Sequence, residues 1–134
     1  MIELTQNAKS LFSLIFAILL VACASAPRET GVLEGHVMIS PLAPVAREGE
    51  PEPTPAPEVY AAYPIIIYAR DGKTEIARAQ VDANGNFRLT LPVGTYIVDT
   101  IHRGVGGGKG LPRAVEIVSG QVTRVDVEID TGIR

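Results

Sequence analysis

Apolar and polar residues alternate with a period of two through much of the chain after residue 30. The clearest example is the last such segment, in which Val125, Val127 and Ile129 alternate with charged residues. Successive side chains of a β-strand point to opposite faces, so this alternation is typical of strands with one buried face. No segment after Cys23 repeats its apolar residues with the period of a helix. The pattern therefore predicts an all-β fold.

Turn-forming residues divide the alternating region into short segments. Asn84-Gly85 is the strongest hairpin signal, because both residues tolerate a positive φ. Asp71-Gly72, Pro92 with Gly94, and Ser119-Gly120 mark further turns. Seven short strands at hairpin spacing predict a β-sandwich. The predicted strands cover residues 33–39, 64–70, 76–81, 87–91, 96–100, 114–118 and 123–129.

Two segments lack the alternation and are predicted to be loops. Residues 41–58 contain six prolines and almost no large apolar side chain. Such a segment has few donors for a sheet and buries too little surface to order itself. Residues 103–112 are rich in glycine. The proline-rich segment lies between two predicted strands, so we interpret it as an insertion within one domain that spans residues 31–134.

Charge and cysteine content exclude two classes of protein. The chain has 12 Lys and Arg against 15 Asp and Glu, for a formal net charge of −3. Nucleic-acid binding needs clustered basic residues, so no nucleic-acid partner is expected. The chain has one cysteine, Cys23, so the fold cannot contain an intramolecular disulfide.

The first 22 residues are typical of an export signal. Residues 11–22 form an apolar run of twelve residues that follows Lys9. Twelve helical residues span about 18 Å, which is short of a hydrocarbon core of about 30 Å. The run therefore fits the apolar core of a signal peptide better than a permanent membrane-spanning helix.

The apolar run ends in Leu20-Val21-Ala22-Cys23, which resembles the lipobox of bacterial lipoproteins. The resemblance implies cleavage after Ala22, a diacylglyceryl group on the Cys23 sulfur and acylation of the new amine. Several acyl chains, at ~0.8 kcal/mol per buried methylene, form a stable anchor. Residues 23–30 would then be the lipidated N-terminus and a flexible stalk. An ordinary secretory signal cut near Cys23, which would release a soluble protein, is the alternative.

The residue after Cys23 bears on the membrane that would hold the protein. This residue is Ala24 and not an aspartate. In a Gram-negative envelope the resemblance then implies transfer to the outer membrane, with the protein facing the periplasm.

Residues 81–98 resemble the carboxypeptidase regulatory-like domain. That domain carries D-x-x-G-x-F and L-P-x-G-x-Y motifs within a transthyretin-like (prealbumin-like), seven-stranded β-sandwich. The matching positions are Asp82, Gly85, Phe87, Leu91, Pro92, Gly94 and Tyr96. The resemblance extends over about residues 31–134 and departs from the family in the insertion at 41–58. It implies a non-catalytic binding or structural module, with possible envelope-protein or glycan partners.

A glycine-rich segment raises the possibility of a phosphate-binding loop. A Walker A motif would require glycine at Arg103 and serine or threonine at Gly110. Leu111-Pro112 would also prevent the helix whose N-terminus binds the phosphate. A plain loop is therefore expected over this segment.

The segment Asp82-Ala83-Asn84-Gly85-Asn86 has oxygen ligands of the kind found in calcium loops. Its glycine stands at the fourth position of the loop instead of the sixth, and Val93 occupies the place of the final glutamate. A hairpin turn is therefore expected here, and no metal or cofactor is predicted anywhere in the chain.

His36 and His102 are the only histidines, so a three-histidine zinc site is excluded. Transthyretin-related hydroxyisourate hydrolases share this sandwich, but they use a C-terminal Tyr-Arg-Gly-Ser. This chain ends in Asp130-Thr131-Gly132-Ile133-Arg134, so no catalytic residue is predicted. Two alternatives stay open: a hydrolase that uses His36, His102 and an arginine, and a small-ligand or glycan site. The tyrosines that could line such a site are Tyr60, Tyr63 and Tyr68.

Overall fold

The computed structural model describes residues 25–43, 48–101 and 106–133. Within these ranges the chain forms nine strands and one short helix. The elements are β1 (Thr30–Ser40), α1 (Pro57–Ala61), β2 (Ile65–Tyr68), β3 (Glu75–Ala79), β4 (Asn86–Pro92), β5 (Gly94–Thr100), β6 (Gly107–Lys109), β7 (Arg113–Ile117), β8 (Val122–Arg124) and β9 (Val127–Asp130).

The strands form two sheets that pack face to face. In the first sheet the order is β4-β1-β9-β6, and β8 also pairs with β1. The long strand β1 pairs antiparallel with β4 on one side and parallel with β8 and then β9 on the other. The second sheet has the order β3-β2-β5-β7 and is antiparallel throughout. The predicted β-sandwich is therefore confirmed.

The core lies between the two sheets and follows the predicted alternation. Along β1 the odd-numbered residues face inward, and the even-numbered residues face outward. Ile65 and Ile67 of β2 are fully buried, as their predicted common face requires. The largest completely buried side chains are Leu33, Val37, Ile65, Ile67, Val98, Ile117, Val127 and Ile129.

The strand count differs from the seven predicted, for two reasons. The predicted last strand, 123–129, is divided into β8 and β9 around Val125, whose backbone N–H donates to the Glu34 carbonyl at 2.9 Å. The second addition is β6, which lies inside the predicted loop 103–112 and pairs with β9. Two of the three residues of β6 are glycines, which have no side chain, so this strand shows no alternation of apolar and polar residues in the sequence.

The proline-rich segment also departs from its prediction. Residues 57 and 58 were expected in an extended loop, but they begin the helix α1. Pro57 stands in the first turn, where a missing backbone N–H costs no hydrogen bond. Tyr60 of α1 is only 5% exposed and packs in the core, so it holds the end of the proline-rich segment against the sandwich. Across the described ranges, no helix has the length and apolar character needed to cross a bilayer.

The turns at Gly85 and Gly94 join strands that belong to different sheets. The turn at 82–85 connects β3 of the second sheet to β4 of the first, and Val93 connects β4 to β5. The predicted turns are present, but the hairpins expected around them are not. Asp71-Gly72 is different, because β2 and β3 are adjacent antiparallel partners and form a true hairpin.

The two ends of the sandwich have different surroundings. At the stalk end, the chain enters β1 between two turns: Val93 N–H donates to the Glu29 carbonyl, and Gly120 N–H donates to the Thr30 carbonyl. At the distal end, β1 finishes at Ser40, beyond the turn that contains Gly85. The helix α1 lies at the distal end, with the Tyr60 ring against Gly85.

Candidate functional site

Polar side chains cover the outer face of the first sheet in rows that the strand register sets. In one row Glu34 of β1 is opposite Arg88 of β4 and Arg124 of β8. In the next row His36 is opposite Asn86. These side chains come from strands far apart in the sequence, and only the sheet brings them together.

Three ion pairs lie on this face among the described residues. The Arg88 guanidinium pairs with Glu34, and Lys109 pairs with Glu128. The third pair joins Arg124 to Asp126, with Nη2 3.1 Å from Oδ1 and Nε 3.2 Å from Oδ2. All three pairs are largely solvated, so each contributes about 0–1 kcal/mol to stability. Charge of both signs is therefore presented to solvent in a fixed pattern.

His36 is held from both sides. Its Nδ1 lies 3.0 Å from Asn86 Oδ1, and its backbone N–H donates to Asp126 Oδ1 at 3.0 Å. The hydrogen bond from Arg124 lowers the pKa of Asp126, and the backbone N–H of His36 lowers it further. Asp126 is therefore ionised at neutral pH. Its carboxylate is engaged by a guanidinium and a backbone amide, and the ring of His36 is oriented by an amide oxygen.

In the turn from Asp82 to Asn86, the Asp82 carboxylate accepts hydrogen bonds from the turn's own backbone. Asp82 Oδ1 accepts the backbone N–H groups of Asn84 and Asn86, both at 2.9 Å. Gly85 has a φ of +83°. A Cβ there would lie 2.9 Å from His36 Cε1 and 3.0 Å from Tyr60 Cε1. The described residues contain no cluster of three His, Cys, Asp or Glu that could hold a metal ion.

The glycine-rich segment also has a structural role where it is described. Gly107–Lys109 forms β6 at the edge of the first sheet. Gly108 lies against Leu111, whose Cδ1 would be 2.6 Å from an added Cβ. The described part is a strand packed on the sheet, and not the phosphate cradle considered from the sequence.

The three tyrosines considered for a ligand site do not form one open pocket. Tyr60 is enclosed in the core, and Tyr63 packs partly buried against it. Tyr68 lies at the other end of β2, in register with Ile97 of β5. Their predicted shared role in ligand binding is therefore not supported by their positions.

Four residues with predicted roles lie outside the described ranges. These are Ala22 and Cys23, where cleavage and lipidation are expected, Ala24, on which the expected membrane depends, and His102, which the hydrolase alternative would use together with His36 and an arginine. Their roles remain predictions. Sequence reasoning missed the pairing of His36 with Asn86 and Asp126, whose only sequence signal is the row of polar residues at even positions of β1.

No protein-family model matches the sequence, and no curated protein matches it. Several solved structures are similar. GBS52, the minor pilin of the Gram-positive pathogen Streptococcus agalactiae, has a TM-score of 0.52 at 20% identity over 77% of this chain and 45% of that chain. The Bacillus anthracis TIE protein has a TM-score of 0.48 at 13% identity, over 76% of this chain and 16% of that chain. A DUF3823 family protein from Parabacteroides merdae has a TM-score of 0.46 at 18% identity, over 77% of this chain and 47% of that chain.

The chain spans less than half of each of these three structures. The likeness to GBS52 shows a shared β-sandwich fold. The class that the described residues define is therefore a β-sandwich with a polar, charge-patterned outer face on its first sheet.

Proposed function

We propose that the protein is a lipid-anchored component of the bacterial cell envelope, and that its β-sandwich is a non-catalytic binding or structural module. The observation that carries the proposal is the order Leu20-Val21-Ala22-Cys23, then a short polar stalk, then a sandwich that begins at Thr30. A lone cysteine at the end of an apolar run is where a lipid anchor needs its thiol. A sandwich fold shared with a minor pilin is consistent with work at the cell surface.

The motif residues of the carboxypeptidase regulatory-like domain support a structural role. Phe87, Leu91 and Tyr96 are buried between the sheets. Asp82 and Gly85 form a turn. We propose that the chain is a member of that family and that its motif maintains the fold and does not perform chemistry.

The outer face of the first sheet is the surface that we propose for binding. It presents Glu34, Arg88, Arg124 and Asp126 as ordered ion pairs, with His36 between them. Such a surface suits a polar partner, namely an envelope protein or a glycan. A photocrosslinker at Met38, on the same face, should capture this partner in intact envelopes. A crosslinker at Ile97, on the second sheet, should not.

The anchor is tested by Cys23→Ser. Only a thiolate accepts the diacylglyceryl group, so the variant should lose palmitate labelling and accumulate as an uncleaved precursor. Ser25→Ala, two residues away, should be labelled and cleaved normally. Normal labelling of Cys23→Ser would contradict the lipoprotein assignment.

The membrane is tested by the residue that follows the cysteine. In a Gram-negative host we propose the periplasmic face of the outer membrane. Ala24→Asp should then move the protein to the inner membrane, as separated membrane fractions would reveal. An unchanged distribution would contradict outer-membrane sorting through this position.

The absence of catalysis is tested with 5-hydroxyisourate. The purified protein should not hydrolyse it above the uncatalysed rate. Hydrolysis that is present in the wild type and lost in His36→Ala, His102→Ala would replace the binding module with the hydrolase alternative.

A further inference from the structure

Three exposed valines lie at the stalk end of the sandwich. Val93 is 45% exposed, Val118 is 38% exposed and Val122 is 53% exposed. Val93 lies in the β4–β5 connection, Val118 lies in the β7–β8 connection, and Val122 begins β8, so they lie on either side of the incoming chain. Glu29 accepts the backbone N–H of Val93, and the next residue, Thr30, accepts that of Gly120. The valines therefore surround the point at which the stalk joins the domain.

The two connections carry no charge. Residues 92–95 and 117–123 contain no Asp, Glu, Lys or Arg, although these make up 20% of the chain. Charged residues adjoin them in the stalk, where Arg28 and Glu29 are exposed and the Glu29 carbonyl accepts the backbone N–H of Val93. Because the two connections carry no charge, the valines can enter the boundary between lipid headgroups and acyl chains while the exposed side chains of Arg28 and Glu29 stay at the level of the headgroups.

The length of the stalk determines which end of the domain can reach a membrane. Six residues, 24–29, separate Cys23 from β1. Fully extended, they cover about 20 Å, and as a flexible chain they average roughly 13 Å. β1 has 11 residues, so the distal end lies roughly 35 Å further away. A lipid on Cys23 thus keeps the valines within a short distance of the bilayer.

We propose that Val93, Val118 and Val122 contact the surface of the membrane that holds Cys23. This contact orients the domain so that α1 and the Gly85 turn point away from the lipid. The inference rests on the lipid anchor proposed above. It adds that the sandwich has one membrane-facing end and does not move freely on its stalk.

The chain contains no tryptophan, so a single introduced tryptophan reports on its own surroundings. The lipidated mature proteins carrying Val93→Trp or Val122→Trp are reconstituted in phosphatidylcholine vesicles with brominated acyl chains. Their fluorescence should be quenched relative to unbrominated vesicles. Met38→Trp and Ile76→Trp are matched controls of similar exposure, 54% and 47%, and should keep their intensity. Adding Val93→Glu and Val118→Glu to Val122→Trp should restore its fluorescence.

Mass spectrometry of the same samples separates the two possible failures. If the protein carries no acyl chains, the proposed anchor is wrong and the membrane contact is wrong with it. If the protein is acylated but Val93→Trp and Val122→Trp are not quenched, the anchor stands and the contact is wrong. Equal quenching of all four tryptophan variants would also overturn the contact, because it would mean that the domain has no fixed orientation.

Discussion

The hydroxyl of Tyr96 donates a 2.7 Å hydrogen bond to the backbone carbonyl of Pro92. Pro92 ends β4 in the first sheet, and Tyr96 lies in β5 of the second. The ring of Tyr96 is buried in the core, so one side chain both fills the interior and braces the connection between the sheets. A comparable tyrosine corner stabilises other β-sandwiches.

Truncation of Tyr96 should separate its two contributions. Tyr96→Ala should lower the free energy of unfolding by about 3–5 kcal/mol, as expected for a large aromatic side chain removed from a core. Tyr96→Phe removes only the hydrogen bond and should cost about 1 kcal/mol. Urea denaturation of both variants gives these values. A midpoint for Tyr96→Ala equal to that of the wild type would contradict the burial of this ring.

Gly35 should not tolerate a side chain. A Cβ at this position would lie 1.7 Å from the carbonyl oxygen of Val125, a backbone atom that cannot move away as a flexible side chain could. Gly35→Ala should therefore cost about 3 kcal/mol or more, at the upper end of overpacking substitutions. His36 follows Gly35 in the chain but lies on the outer face, so His36→Ala should cost about 1 kcal/mol or less. Equal denaturation midpoints for these two variants would be inconsistent with the close contact between Gly35 and Val125.

The sequence was sufficient to predict the fold class and most buried faces. The period-two pattern placed Val37 with Ile39, and Ile65 with Ile67, on common faces, and these side chains do fill the core. It did not predict which sheet each strand joins. Asn84-Gly85 favours a hairpin by its local conformation, but β3 and β4 separate into different sheets, and this depends on long-range packing. Strand β6 was missed because glycines carry no alternation.

The candidate binding surface was less predictable than the core. Glu34, Arg88 and Arg124 are far apart in the sequence, and only the register of β1 with β4 and β8 makes them neighbours. A sequence marks such residues as exposed and polar without showing their partners. The short helix α1 was missed for a related reason, since a five-residue helix has too few turns to show a period.

The buried ring of Tyr60 should hold the end of the proline-rich segment. The sequence favours fast amide exchange over 41–58 and 103–112, but the structure restricts this expectation to residues outside α1 and β6. Tyr60→Ala should make residues 57–63 exchange much faster and become sensitive to protease, while Tyr60→Phe should leave them protected. Hydrogen exchange with mass spectrometry measures both. Unchanged protection in Tyr60→Ala would show that Tyr60 is not what holds α1 in place.

The pair Arg124–Asp126 should make stability depend on acidic pH. The hydrogen bond from Arg124, followed by that from the His36 backbone, lowers the pKa of Asp126 in the folded protein. An unfolded aspartate has a pKa of about 3.9. A lowered folded pKa adds stability that is present above the unfolded value and is lost as pH falls through the folded value. The loss is therefore expected below about pH 4.

Asp126→Asn tests this dependence. The asparagine keeps an oxygen for the His36 N–H but loses the charge that Arg124 binds. The variant should be less stable than the wild type at pH 7, and the two should converge as the pH falls below about 4, because the wild-type carboxylate then becomes neutral. Asp71 also has a lowered pKa, through the backbone N–H groups of Thr74 and Lys73, so Asp71→Asn is measured in parallel. The measurement is the denaturation midpoint of each protein at several pH values between 7 and strongly acidic pH. A difference between Asp126→Asn and the wild type that stays constant with pH would mean that the Asp126 charge does not contribute to stability.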